Sequence, residues 1–366
     1  MSIRRGITAA SLGFLALLCA AEKPKTQNVS DKLEKFPWGN NVLWTDPGDV
    51  ASLDLRYGVG GEQQQPKPPF KFVKEDLSGS NPKVLVTDAN NRTWNLKWGK
   101  EAHSDVFASR IAWACGYVTQ PEYYVAEGEI EGIHGKLKRA GSEIHEGHFS
   151  AARFQLRTDD PKFINKSAGW SWINNPFRGS QQLHGLKVVM MLVSDWDNKD
   201  ARDESRDSNL AIFATQESDG PKYMYFVADW GGSMGKWGNV ATRDKWDAKG
   251  FAEQTHAFVK GVHDGTVEWG YTGQRTEDQV TGIKVSDVQW LLQYLGRITD
   301  DQLRAGLQAV GATPDEVETF TASLRDRIGQ LQRIAPSPAD AQQSHTVSGD
   351  FGRELVLHVY PFLMRP

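Results

Sequence analysis

Five polar side chains occur in an order that is typical of phosphoryl-transfer sites. Lys97 lies on a predicted strand, Asp197 and Lys199 follow a long apolar segment, and Asn209 and Asp229 begin and end a predicted hairpin. A strand lysine can fix a positive charge on nucleotide phosphates, and a carboxylate can accept the proton of an attacking hydroxyl. A nearby lysine can offset charge on the transferred group. Asn and Asp oxygens are ligands that suit Mg²⁺ or Mn²⁺. The order therefore predicts metal-dependent phosphoryl transfer.

A small predicted sheet must position the first of these residues. Three short alternating segments between residues 70 and 98, separated by turns, predict an antiparallel meander that carries Lys97. A helix with Ser104 as its cap is expected next, because apolar residues then recur at helical spacing. Either Asp105 or Glu101 lies at the entrance of this helix, where a carboxylate could pair with Lys97 and orient it.

The turn over residues 77–82 contains three small residues, Ser78, Gly79 and Ser80. Small side chains let backbone N–H groups approach a bound anion closely. We therefore expect this turn to lie over the phosphates of a nucleotide.

The second half of the chain supplies the remaining candidates. The apolar run over 185–193 has the length and the Leu and Met content of a buried helix, and it leads directly into Asp197. Alternating residues over 209–215 and 222–229, with a Gly-containing turn between them, predict a hairpin. Amphipathic spacing predicts helices over 285–334.

These pieces resemble the protein-kinase-like superfamily, and in particular its secreted, lipid and bacterial toxin kinases. Uncharacterised exported bacterial proteins are also similar to this chain. They share segments such as 72–76 (FVKED), 94–97 (WNLK), 186–188 (LKV) and 196–200 (WDNKD). The resemblance covers about residues 45–334 and depends on the order of the motifs and on the intervening hairpin.

The resemblance implies a role for each candidate residue. Lys97 would contact the phosphates of ATP and pair with Asp105. Asp197 would act as the base, with Lys199 beside the transferred group. The implied ligands of Mg²⁺ or Mn²⁺ are Asn209 and Asp229.

The chain departs from the common kinase pattern at several positions. Asp195 and Trp196 stand where typical kinases have His and Arg, and Asn209 lies twelve residues after Asp197 instead of five. The charged segment 201–208 resembles an insertion. These departures leave open a catalytically inactive, pseudokinase-type binding module in the cell envelope.

A second alternative is a serine hydrolase. Residues 231–235 match the G-x-S-x-G pattern with Ser233 as nucleophile, and His256 and His263 follow in the order that a triad requires. The residues before this motif lack the alternation of strands and helices that a hydrolase sheet needs.

The N-terminus and the overall composition limit the location and the partners. Basic residues followed by a short apolar run over 7–18 predict a signal peptide cleaved after Ala21, and a lipoprotein anchor at Cys19 is the weaker alternative. We therefore expect export to the periplasm or the extracellular space. A formal net charge of -4 provides no footprint for nucleic acid. No later segment is apolar enough to span a membrane.

The expected fold is α+β and bilobal, a protein-kinase-like fold with a small antiparallel-sheet N-lobe and a larger helical C-lobe. The expected partners are a nucleotide and a protein, lipid or glycan acceptor, with no nucleic acid and no membrane span in the mature chain. The expected segments are a signal peptide (1–21), a loosely ordered extension (22–65), the N-lobe (66–126), the C-lobe (127–334), of which 127–182 is irregular, and a tail (335–366).

Overall fold

The computed structural model describes residues 40–78, 81–158, 162–163, 170–197 and 209–336. Within these ranges the chain is a mixed α+β protein, as its sequence predicts. The predicted signal peptide and nearly all of the predicted tail lie outside them. None of the described helices is both long and apolar enough to cross a membrane.

The described strands are concentrated before residue 230, and most of the helices follow. The strands are β1 (Asn40–Val42), β2 (Phe70–Glu75), β3 (Lys83–Thr87), β4 (Thr93–Lys97), β5 (Glu122–Glu131), β6 (Ile144–His145), β7 (His148–Arg157), β8 (Lys162–Phe163), β9 (Leu210–Glu217), β10 (Gly220–Val227), β11 (Val259–His263) and β12 (Thr266–Trp269). The helices are α1 (Glu101–Ala114), α2 (Gln181–Leu192), α3 (Ala248–Thr255), α4 (Glu277–Val280), α5 (Val285–Leu295), α6 (Asp300–Gln308) and α7 (Pro314–Ile334).

Strands β2, β3 and β4 form the predicted antiparallel meander, but the sheet does not stay open. Strand β4 pairs with β7, β7 pairs with β5, and β5 returns to β2 in parallel. The five strands therefore close into a barrel. The expectation of a small, purely antiparallel sheet is wrong in these two respects, and the boundary expected at residue 126 falls inside β5.

Strand β7 is not predicted from the sequence, because one of its buried faces is apolar and the other is polar. Ala152 and Phe154 point into the apolar interior of the barrel, together with Trp94 of β4. Arg153 and Gln155 point outward and are equally buried, under helix α1. A strand with polar residues on one buried face does not show the apolar run of a two-sided core strand, so its segment was predicted to be irregular.

Helix α1 begins at Glu101 instead of at the predicted cap, Ser104. Ser104 lies one turn inside the helix and is fully buried. Its hydroxyl donates to the backbone oxygen of Gly231 at 2.9 Å, so it joins the helix to the segment after β10.

The segment before the barrel is packed, at least from residue 40 onward, instead of forming a loose extension. Strand β1 pairs in parallel with β10, and Val50 and Leu55 are buried in the main core. The Gln302 amide of α6 donates to the backbone oxygens of Val50 at 2.8 Å and Leu53 at 2.7 Å. These contacts hold in place a Pro- and Gly-rich segment whose regular structure is limited to β1 and three short 3₁₀ turns.

The buried helix, the hairpin and the helices that the sequence predicts between residues 185 and 334 are confirmed. The apolar run forms α2, whose cap residue Ser180 accepts a hydrogen bond from the Leu183 N–H at 3.2 Å. The predicted hairpin is β9–β10. Helices α6 and α7 begin with capping boxes at Thr299 and Thr313, close to the predicted starts.

A substitution at Gly185 tests the packing of α2, the helix that leads to Asp197. Gly329 of α7 provides the control. A Cβ atom at Gly185 would lie 2.7 Å from Trp290 Cζ3 and would also meet the Tyr117 hydroxyl, whereas one at Gly329 would meet no atom closer than 3.5 Å. We expect Gly185→Ala to lower the free energy of unfolding by about 1–2 kcal/mol, because overpacking outweighs the gain in helix propensity. Gly329→Ala should raise it by about 0.5–1 kcal/mol. Urea unfolding of both variants measures this, and a stabilised Gly185→Ala protein would contradict the placement of α2.

Candidate functional site

Lys97 is the centre of a buried ionic cluster that joins three parts of the fold. Its ammonium lies 3.4 Å from the Asp105 carboxylate of α1 and 3.3 Å from Asp229, just after β10. It also pairs with Glu101 at the start of α1. The Lys97 side chain is only 6% exposed. A strand, a helix and the end of a hairpin therefore meet at one positive charge.

The carboxylates keep Lys97 protonated despite its burial. Burial alone lowers the pKa of a lysine, but Asp229 and Asp105 outweigh it, so the pKa of Lys97 is raised above its ordinary value. Burial raises the pKa of Glu101, yet Lys97 and the Lys245 ammonium together leave it below its ordinary value. The charged form of Glu101 is therefore favoured, and its carboxylate is shared by two lysines.

Asp105 is completely buried and is bonded more closely to Arg153 than to Lys97. Its Oδ2 atom accepts from Arg153 Nη1 at 2.6 Å, and its Oδ1 atom accepts from the Trp230 backbone N–H at 2.7 Å. Asp105 thus anchors α1 to β7 and to the residue after Asp229. Both acids proposed as partners of Lys97 contact it, and Glu101 makes the shorter ion pair.

Two glycines allow Asp229 and the segment around Asp197 to approach one another. Asp229 Oδ1 accepts from the Gly231 N–H at 2.9 Å, and a Cβ atom on Gly231 would lie 2.9 Å from that same oxygen. A Cβ atom on Gly232 would lie 2.9 Å from Asp195 Oδ1 and 3.0 Å from Asp197 Cβ. Alanine at Gly231 would therefore crowd Asp229 and Glu101, and alanine at Gly232 would crowd Asp195 and Asp197.

The segment that ends α2 is fixed by hydrogen bonds to its backbone. Asp195 is buried, and its backbone oxygen accepts from the Tyr271 hydroxyl at 2.5 Å. Its Oδ1 atom accepts from the Asp197 N–H at 3.1 Å. Ser194, just before it, has a φ of 59°, so the chain turns sharply out of the helix. Asp197 itself is half-buried.

Arg327 of α7 holds this segment from behind and was not predicted. It is fully buried, and its Nη1 atom donates to the Leu192 backbone oxygen at 2.7 Å and to the Ser194 hydroxyl at 2.8 Å. Its guanidinium also stacks on Phe251, 3.6 Å from the ring centroid. One signal was present in the sequence, because Arg327 interrupts the apolar stripe of α7 at a core position.

Of the other predicted residues, Ser78 and Asn209 are described by the structure and three are not. Ser78 is exposed, and its hydroxyl accepts from the Lys83 ammonium at 3.1 Å. Asn209 is buried beside the end of β10, where its backbone oxygen accepts from the Ala228 N–H at 2.8 Å. Three predicted residues lie outside the described residues: Gly79, Ser80 and Lys199.

The geometry around Ser233 does not form a nucleophile–base pair. Ser233 is fully buried, and its hydroxyl has no hydrogen-bond partner among the described residues. His256 and His263 are both exposed. A serine nucleophile needs a base within hydrogen-bond reach, and neither histidine provides one here.

The candidate metal ligands are oxygen donors on neighbouring strand ends. Asp229 and Asn209 carry a carboxylate and an amide, which fit a hard cation such as Mg²⁺. Within the described ranges, no group of three or more His, Cys, Asp or Glu side chains is arranged to hold a metal ion. Any cation at Asp229 would share its carboxylate with Lys97.

A polar layer between the barrel and α1 extends from Lys97 towards Glu122. Arg153 lies 3.6 Å from Glu122, whose Oε1 atom accepts from the Gln155 amide at 2.5 Å. Burial raises the pKa of Glu122 to about 7, and Arg153 lowers it by less. The carboxyl of an ordinary glutamate titrates at 4.5. The layer therefore contains one group that titrates near neutrality.

Glu122 makes the stability of the protein depend on pH. Because the pKa of Glu122 is raised in the folded state, its contribution to the free energy of unfolding is fully present below pH 4.5 and is lost as the pH rises through 7. We expect Glu122→Gln to become progressively more stable than the wild type between pH 5 and pH 8, as measured by melting temperature. Exposed Glu127 lies on the same strand, so Glu127→Gln is the matched control. A difference between Glu122→Gln and wild type that does not change with pH would contradict the buried layer.

Comparisons with known proteins assign no function to this chain. The chain matches no protein-family model, no curated protein and no solved structure.

Proposed function

We propose that this chain is an exported, kinase-like protein that transfers a phosphoryl group from ATP to a hydroxyl acceptor. The observation that carries the proposal is the ionic cluster in which Lys97 meets Glu101, Asp105 and Asp229. Such a cluster brings a strand lysine, a helix acid and the carboxylate after a hairpin to one place. These are the parts that a kinase uses to hold a nucleotide and its metal.

In this proposal the barrel is the small lobe and the helices after α2 form the larger lobe. Lys97 orients the phosphates of ATP, and Glu101 and Asp105 hold Lys97 in place. Asp229 and Asn209 would hold Mg²⁺ or Mn²⁺, which when bound neutralises charge on the phosphates.

Asp197 is the proposed base for the acceptor hydroxyl. Its backbone N–H donates to Asp195 Oδ1. Gly232 has no side chain, so the segment around Asp197 can pack closely against the backbone that follows Asp229. A half-buried carboxylate in this position can accept the hydroxyl proton as the new bond forms. Lys199 is the proposed neighbour of the transferred group, and the acceptor would be a protein, a lipid or a glycan.

A catalytically inactive binding module is the second candidate, and one observation favours it. Lys97 is neutralised by three carboxylates, and Glu101 is shared with Lys245 in a closed network. This network is satisfied without a nucleotide. In that case the same surface would bind a partner in the cell envelope, and Asp195 and Trp196 would replace catalytic residues. The hydrolase alternative gains no support, because Ser233 is buried without a base.

Nucleotide binding is the first consequence to measure. We expect ATP with Mg²⁺ or Mn²⁺ to raise the melting temperature of the chain, because a ligand at 100 times its Kd adds about 2.7 kcal/mol of stability. The shift should need the metal and should be lost in Asp229→Asn, which removes the charge that faces the cation. Differential scanning fluorimetry measures both effects.

Asp219→Asn provides the matched control, since Asp219 is exposed in the turn between β9 and β10. It should keep the full shift. A metal-dependent shift without phosphoryl transfer to any acceptor would favour the inactive binding module. No shift at millimolar ATP in either metal would contradict a working nucleotide site.

A further inference from the structure

The barrel carries a row of three cations across adjacent strands. In the strand register, Lys97 of β4 lies directly opposite Lys83 of β3 and also opposite Arg153 of β7. Residues that lie opposite one another share a face of the sheet, so all three side chains leave the barrel on its outer face. Like charges in this arrangement repel unless each is neutralised.

Neutralisation along the row is uneven. Arg153 lies 2.6 Å from Asp105 and 3.6 Å from Glu122, and Lys97 pairs with three carboxylates. Among the described residues, Lys83 has one acidic partner, Asp76, at 3.8 Å. Asp76 also accepts a hydrogen bond from the Ser78 N–H at 2.9 Å. Lys83 is thus the least compensated cation of the three.

Lys83 is also the most accessible member of the row. Its side chain is 18% exposed, compared with 6% for Lys97 and 4% for Arg153. Burial, together with repulsion from Lys97 and Arg153, lowers the pKa of Lys83, while Asp76 and Asp229 raise it by less. The register with Lys97 places Lys83 on the same side of the barrel as the candidate site.

We propose that Lys83 is a second phosphate-binding cation, which contacts the polyphosphate chain of the ligand beside Lys97. This rests on the proposed function in so far as the ligand is the triphosphate of ATP. Lys97 is paired with three carboxylates, so it shares the phosphates with Lys83 instead of binding them alone. Lys83 has an ammonium that can turn from Ser78 towards a phosphate oxygen, and a phosphate would give it a closer anionic partner than Asp76 at 3.8 Å.

Isothermal titration calorimetry with two probes tests this assignment. Inorganic tripolyphosphate and ATP, each with Mg²⁺, are titrated into the wild type, Lys83→Met, Lys83→Arg and Lys71→Met. Lys71 is exposed on β2 of the same barrel and is the matched control. We expect Lys83→Met to weaken both ligands roughly tenfold, the cost of one charge-assisted hydrogen bond. Lys83→Arg and Lys71→Met should stay close to the wild type.

The outcomes separate the role of Lys83 from the proposed function. Loss of tripolyphosphate affinity in Lys83→Met, with ATP bound no more tightly than tripolyphosphate, would support Lys83 and count against a nucleotide site. Equal affinity of Lys83→Met and the wild type for both probes would overturn the assignment. Wild-type protein that binds neither probe would overturn it as well. Melting temperatures of all variants confirm that they are folded.

Discussion

The charge of Lys97 is the constraint on which the rest of the site depends. A lysine that is 6% exposed on a strand must be neutralised, and the fold supplies Glu101, Asp105 and Asp229 from two other elements. This requirement explains why α1 lies across the outer face of the barrel and why the chain after β10 turns back towards it. The same constraint requires a glycine at position 231, because a side chain there would collide with Asp229.

The protein has two kinds of interior, and the site lies where they meet. The barrel is filled with apolar side chains such as Trp94 and Phe154, while its outer face under α1 is a buried polar layer that includes Arg153 and Glu122. In a polar layer of this kind the ion pairs of Arg153 with Asp105 and Glu122 form in one arrangement only, which favours one position of the helix. On the opposite side, Arg327 fixes the segment before Asp197 through neutral acceptors, so both halves of the site are held by buried cations.

Much of the local structure could be predicted from the sequence, and the closed barrel could not. The apolar run of α2, the hairpin and the capped helices α6 and α7 depend on short-range patterns, which a single sequence displays. Strand β7 does not show such a pattern, because Arg153 and Gln155 are buried against a helix that is remote in sequence. Lys97, Asp105 and Asp229 were identified by type and order, and the structure brings them together. Arg327 is not predicted, since its hydrogen-bond partners lie on two elements remote in sequence, α2 and α3, and only its place within the apolar stripe of α7 gives a signal.

The most direct test of this account is the energetic coupling between Lys97 and Asp229. Urea unfolding of the wild type, Lys97→Met, Asp229→Asn and the double variant gives this coupling as a double-mutant cycle. If the ion pair joins the barrel to the end of the hairpin, the two changes will be non-additive by about 1–3 kcal/mol, because removing Asp229 matters less once Lys97 is gone. Additivity within about 0.5 kcal/mol would show that the two residues act independently, and it would contradict a site organised around Lys97.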